Sequence, residues 1–103
     1  MGNFLVSFEL RSDHDYAERY KSLTEQIKAK PTEYHWDETT SFAAIETPET
    51  IHELASRLYL DTKVNSQKDI LLVIDPATSH CIALGPIRYE VLLSTNFKIY
   101  EKK

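Results

Sequence analysis

The sequence predicts an α+β domain. Three observations carry this prediction: strand-like alternation at the start of the chain, two stretches with apolar residues at helical spacing, and an apolar run at residues 70–74. The 103 residues are enough for one hydrophobic core, and 42% of them are apolar, which argues against disorder. We therefore expect a single domain over residues 1–103.

The first two elements are a strand and a helix. Apolar side chains alternate with others over residues 3–10, which is typical of a strand with one buried face. Ser12 is the predicted N-cap of the helix that follows, with Asp15 in its first turn. Pro31 ends this helix. Its apolar stripe consists of Tyr16, Tyr20, Leu23 and Ile27.

A hairpin and a second helix come next. Residues 33–37 and 40–46 predict two short strands, because a polar turn separates them. Thr47 is the predicted cap of the second helix and Pro48 its first residue, a position that proline favours. The apolar stripe of this helix ends near Leu60.

The last predicted elements are a strand over residues 69–75, apolar enough to be buried on both faces, and a short strand over 81–84. The order of elements is β-α-β-β-α-β plus a tail, which predicts a ferredoxin-like sandwich. Residues 85–103 form the tail, in which 88–93 predict a strand or a short helix and 97–100 a strand.

In such a sandwich the helices cover one face of the sheet and leave the other open, so we expect a homodimer with the tail as its dimerisation segment. The side chains predicted to fill the core are Phe4, Val6, Phe8, Tyr20, Leu23, Ile27, Phe42, Ala44, Ile51, Leu54, Leu58, Leu72 and Ile74.

Charge and composition narrow the classes of function. The net charge of −4 and the scattered basic residues disfavour tight non-specific binding to nucleic acid. The longest apolar run is far too short to cross a membrane, and the opening residues lack the features of a secretory signal. The single cysteine, Cys81, excludes an internal disulfide. We expect a cytoplasmic protein.

Glu9 is the acid of most interest, because alternation places it opposite Phe8, on the open face of the sheet. It is either a solvated acid or, near a dimer axis, one half of an acidic pair that holds Mg²⁺. Asp13 and Asp15 are interpreted as residues that complement the dipole of the first helix.

Tyr34 and Trp36 share one face of the predicted hairpin. This pair has two interpretations. The rings either pack in a core or an interface, or they stack on the bases of a nucleic acid, in which case Trp36 is the candidate contact. The neighbours Glu33 and Asp37 favour packing, because base-stacking strands carry basic residues instead.

Four segments carry a family resemblance: FLVSFELRSDHDYAERYKSL, SFAAIETPETIHELASRL, KDILLVID and IALG. Together they resemble the CRISPR-associated Cas-two superfamily, in particular its Cas-two-like or SinR-like bacterial proteins. The resemblance covers about residues 3–85. It implies a homodimer whose sheets face each other, with a C-terminal strand that crosses to the partner.

The resemblance also implies a site. Glu9 stands where the family has its metal-binding aspartate, and Asp13 where the family often has a second loop acid, so both are candidate catalytic residues with Mg²⁺ as cofactor. The basic residues that follow the strand in nuclease members are reduced here to Arg11 and Arg19, the candidate contacts to nucleic acid.

Three functions stay open. The first is a Mg²⁺-dependent nuclease or a degenerate relative of one. The second is a non-enzymatic dimeric module of an accessory or toxin–antitoxin-like system that binds a protein partner, which the acidic charge and the glutamate at position 9 favour. The third is a small dimeric α+β barrel enzyme with His35 or His52 in a pocket between helices and sheet.

Overall fold

One sheet with helices packed on it forms the part of the chain that the computed structural model describes, residues 2–102, with side chains over residues 2–98. In chain order the elements are β1 (Gly2–Glu9), α1 (Tyr16–Lys28), β2 (Tyr34–Thr39), β3 (Phe42–Thr47), α2 (Ile51–Leu60), β4 (Ile70–Asp75), β5 (His80–Leu84), α3 (Glu90–Asn96) and β6 (Lys98–Lys102). The predicted α+β class is confirmed. Within the described residues, every helix is too short or too polar to cross a membrane.

The strands lie in the order β2-β3-β1-β4-β5-β6. Strands β1 to β5 pair antiparallel, and β6 adds to β5 in parallel. The alternating strand β1 lies inside the sheet, where Val6 is opposite Ala43 on one side and Val73 on the other. The face that carries Val6 is covered by helices α1 and α2, and we call it the helix face.

The core on the helix face is filled as the periodicity predicted for β1 and α2, and for α1 except at Tyr16, which is 37% exposed. Val6, Leu23, Leu54 and Leu58 are fully buried there, while Tyr20 is half-buried against this core. Helix α2 begins later than the sequence suggested, because Thr50 and Glu53 form a reciprocal capping box. The Thr50 hydroxyl accepts from the Glu53 amide at 3.1 Å, and the Glu53 carboxylate accepts from the Thr50 amide at 2.9 Å.

The start of α1 differs from the prediction. The helix begins at Tyr16 with Asp15 as its N-cap residue, not at Ser12, and the Asp15 side chain makes no capping hydrogen bond. The reason is that the Asp15 carboxylate binds Arg19 and Lys68 instead of the helix amides.

The predicted core was wrong for β3 and for one of the two residues chosen on β4. The residues of the helix face are Ala43 and Ile45 on β3 and Leu71 and Val73 on β4. Both strands are apolar on successive residues, so alternation gives no face, and the pairing with β1 decides it. Ile74 is buried as predicted, but in a second cluster on the opposite face. The residues placed in the core by mistake, all half-buried on that opposite face, are Phe42, Ala44 and Leu72.

We call that opposite face the open face. The segment around α3 covers its β4–β5 side, where Ile87, Leu93 and Phe97 pack against a small second cluster built on Ile74 and Cys81. The remaining part, which we call the open half, lies over β2 and β3 and carries Tyr34, Trp36, Phe42 and Ala44.

Residues 85–102 fold back onto their own chain, because β6 lies next to β5. The helix and the strand expected in this tail are both present. A crossing of the tail to a partner stays a prediction.

Gly85 sets the close approach between the end of β5 and the start of β4. Its φ is +103°, and a Cβ at this position would lie 1.9 Å from the Asp69 carbonyl oxygen. Only glycine fits both the backbone conformation and the space. The Asp69 main chain is therefore fixed next to the point where the tail leaves the sheet.

Candidate functional site

Glu9 ends β1, opposite Ile70 of β4, and its side chain is exposed on the open face. Its carboxylate makes no hydrogen bond or ion pair with any side chain over residues 2–98. It lines a cavity of about 650 Å³ between the sheet and α3, together with Arg88 and Tyr89. Glu9 therefore lies on the open face of the sheet, as the sequence predicted.

Asp13 does not join Glu9 in one site. Its carboxylate instead binds two cations, with Arg19 Nη1 at 2.8 Å and Lys68 Nζ at 2.7 Å. Asp15 binds the same two side chains, with Lys68 Nζ at 3.2 Å. The two aspartates thus fix the loop before α1 to the loop before β4.

A buried arginine is the centre of this network. Arg19 is 2% exposed, and its Nε donates to the carboxylate of fully buried Asp69 at 2.9 Å. Asp69 also accepts hydrogen bonds from the backbone amides of Arg11 and Asn65, both at 2.9 Å. All three guanidinium nitrogens of Arg19 donate to protein oxygens. A phosphate contact by Arg19, as the resemblance implied, would require breaking this network.

The network changes the titration of its members. Hydrogen bonds from Lys68 and then Arg19 hold the pKa of Asp13 well below its ordinary value of 3.8. A group whose folded pKa is lowered stabilises the fold above its unfolded pKa. The contribution of Asp13 is therefore present at neutral pH and is lost as the pH falls through its folded pKa.

Asp13, His14 and Asp15 bring three ligand atoms within 4.8 Å of one another. Both carboxylates already bind Arg19 and Lys68, so Mg²⁺, which favours carboxylates free to bind it, would have to displace these side chains, and the cluster does not fit it. Glu9 fits better because its carboxylate makes no ion pair over residues 2–98, but one carboxylate alone does not make a Mg²⁺ site.

Trp36 lies in the open half and is 44% exposed. Its ring packs edge-on against Phe42 with the centroids 6.3 Å apart, and its indole N–H donates to the Glu38 carboxylate. Glu46 lies opposite Tyr34 on the neighbouring strand. Carboxylates next to both aromatic rings repel phosphates, so the surroundings of Trp36 favour a protein contact over a nucleic acid. Arg11 is exposed on the surface.

The barrel-enzyme hypothesis needs a cavity between the helices and the sheet. The space under α2, lined by Tyr59, Leu71 and Leu84 among others, amounts to about 10 Å³, which is too small for a substrate. His35 and His52 are both exposed, so neither is placed in a closed pocket.

Comparison with family models, with curated proteins and with solved structures finds no match to this chain. The resemblance to the Cas-two superfamily therefore stays a prediction.

Proposed function

We propose that this chain is a Cas-two-like, cytoplasmic protein with a ferredoxin-like fold, and that it acts as a non-enzymatic homodimeric interaction module. Two features support the fold assignment: the element order from β1 to β4 and the strand order β2-β3-β1-β4 within the sheet. The packing of α1 and α2 on the same face of that sheet agrees with it.

The observation that carries the dimer is the open half. Tyr34 is 71% exposed and Trp36 44% exposed, and they lie next to Phe42 and Ala44. Exposed aromatic side chains that form one patch on a small domain typically mark an interface. The chain's own third helix stops short of this patch.

Charge and resemblance favour a second copy as the occupant. Each copy carries a net charge of −4, but the centre of the open half is uncharged. Two copies related by a two-fold axis can therefore bury this centre without placing like charges against each other there. Glu38 is exposed beside the patch, and Glu46 lies opposite Tyr34 at one end of it, half-buried on the same face. The family that the sequence resembles pairs its sheets in this manner.

The test is a charge placed in the open half. We expect the wild type to sediment at twice the chain mass of 11.9 kDa at tens of micromolar, and Trp36→Glu to weaken the dimer by at least about tenfold, because a buried carboxylate would be unpaired. Leu60→Glu is the matched control, since Leu60 is an equally apolar, 71% exposed side chain on α2. A monomeric wild type would overturn the dimer and leave the open half to a different protein partner.

A metal-dependent nuclease is the second candidate function, and the exposed, unpaired carboxylate of Glu9 on the open face favours it. In a dimer with facing sheets, two copies of Glu9 would approach each other and repel when no ion is bound. Glu9→Gln is then expected to stabilise the metal-free dimer and to abolish Mg²⁺-dependent cleavage.

The measurement is a cleavage assay on single- and double-stranded RNA and DNA with Mg²⁺ or Mn²⁺. Glu25→Gln, which removes an exposed carboxylate on α1, is the control. Cleavage that survives in Glu9→Gln would contradict the assignment of the site. A wild type without cleavage would leave the interaction module as the remaining function.

A further inference from the structure

The cavity next to α3 has the size and lining of a small-molecule site. Its volume of about 650 Å³ lies within the usual range for ligand pockets. The walls are mainly apolar, with Ile70 and Leu72 from β4 and Leu92 and Leu93 from α3. Apolar walls with a few polar groups are the general pattern of sites that bind organic molecules.

Two opposite charges line this cavity. Glu9 contributes a carboxylate from the end of β1, and Arg88 contributes a guanidinium from the segment before α3. Over residues 2–98, neither side chain has an ion-pair partner, and the contact of the Arg88 guanidinium is with the Tyr89 ring, 6.0 Å from its centroid. Each charge is therefore available to a ligand.

We propose that this cavity binds a small zwitterion with an apolar body, as in an apolar amino acid or a short apolar peptide. Its ammonium group would pair with Glu9, its carboxylate with Arg88, and its side chain would pack on Leu72 and Leu93. The binding requires neither a dimer nor a metal ion, so it goes beyond the proposed function.

The two charges favour a ligand that carries both. A small anion would pair with Arg88 and leave Glu9 without a partner. An organic cation would pair with Glu9 and leave Arg88 without one. A molecule that carries both charges satisfies both groups, and charge-assisted hydrogen bonds are the stronger kind.

The test is a titration of the ¹⁵N-labelled full chain, in which the amide signals of residues 87–96, Glu9 and Ile70 are followed. The probes are L-leucine, whose charges are adjacent, and L-leucyl-L-leucine, whose charges are further apart. We expect saturable shifts at these amides with at least one of the two. The N-acetyl derivative of each zwitterion lacks the ammonium and its amide lacks the carboxylate. For the zwitterion that binds, leucine or the dipeptide, each derivative is expected to bind roughly tenfold or more weakly than the parent.

Two variants assign the charges. Glu9→Gln is expected to remove the preference for leucine over N-acetyl-leucine, because the ammonium then has no partner. Arg88→Gln is expected to remove the preference for leucine over leucinamide, because the carboxylate then has no partner. Glu25→Gln, which changes an exposed carboxylate on α1, is expected to change neither. Glu9, Arg88 and Glu25 are exposed, so all three variants should fold, and their amide spectra without ligand check this.

Three results would overturn the proposal: no saturable shift with either zwitterion, shifts outside the cavity, or equal affinity for all analogues. Equal losses for both analogues in both variants would also contradict the assigned pairing. If the chain is monomeric but still binds leucine, the proposed dimer is wrong and the proposed ligand site stands. The two proposals are therefore tested separately.

Discussion

Asp69→Ala is expected to lower the free energy of unfolding by about 3–5 kcal/mol, because it leaves the buried Arg19 without its innermost partner. The substitution removes the bond from Arg19 Nε and leaves the backbone amides of Arg11 and Asn65 without an acceptor. These bonds connect the loop after β1, helix α1 and the loop before β4. Urea unfolding at neutral pH, monitored by circular dichroism, measures the loss.

The control for this prediction is Glu25→Ala, which removes an exposed ion pair of 3.9 Å to Lys21. Such surface pairs contribute about 0–1 kcal/mol, so we expect little change. The double variant Arg19→Met with Asp69→Asn should be less destabilised than the sum of its two single variants, since neither charge is then buried alone. An Asp69→Ala protein as stable as the Glu25→Ala control would contradict the role of the network.

The elements with a clear period could be predicted from sequence. The alternation of Phe4, Val6 and Phe8 gave β1 its buried face, and through it the placement of Glu9 on the open face. The spacing of Leu23 and Ile27 gave the buried stripe of α1. In each case the local pattern and the tertiary contacts agree, so propensity and packing predict the same face.

The charge network could not be predicted in this way. Arg19 and Asp69 are 50 residues apart, and no local pattern connects them. Arg19 stands four and eight residues before Leu23 and Ile27, so spacing places it on the buried stripe of α1, and only its charge set it apart from the apolar residues there. The family resemblance led to the interpretation of Arg19 as a candidate nucleic-acid contact, whereas in the structure its guanidinium binds three aspartates. The sequence did show that the apolar run of β4 is flanked by two acids, Asp69 and Asp75. This pattern did not indicate that Asp69 is buried and Asp75 is not.

The last prediction compares two neighbouring leucines of β4 that lie on opposite faces of the sheet. Leu71→Ala is expected to lower the free energy of unfolding by about 2–5 kcal/mol, because Leu71 is 2% exposed in the core under α1 and α2 and its loss leaves a cavity. Leu72→Ala should cost clearly less, because Leu72 is half-buried on the open face and lines the cavity next to α3, where water can fill the space. The two variants differ by one position and remove the same atoms, so each is the control for the other.

Thermal and urea unfolding of both proteins measure the difference. A larger loss for Leu72→Ala would mean that the register of β4 against β1 places the opposite face in the core.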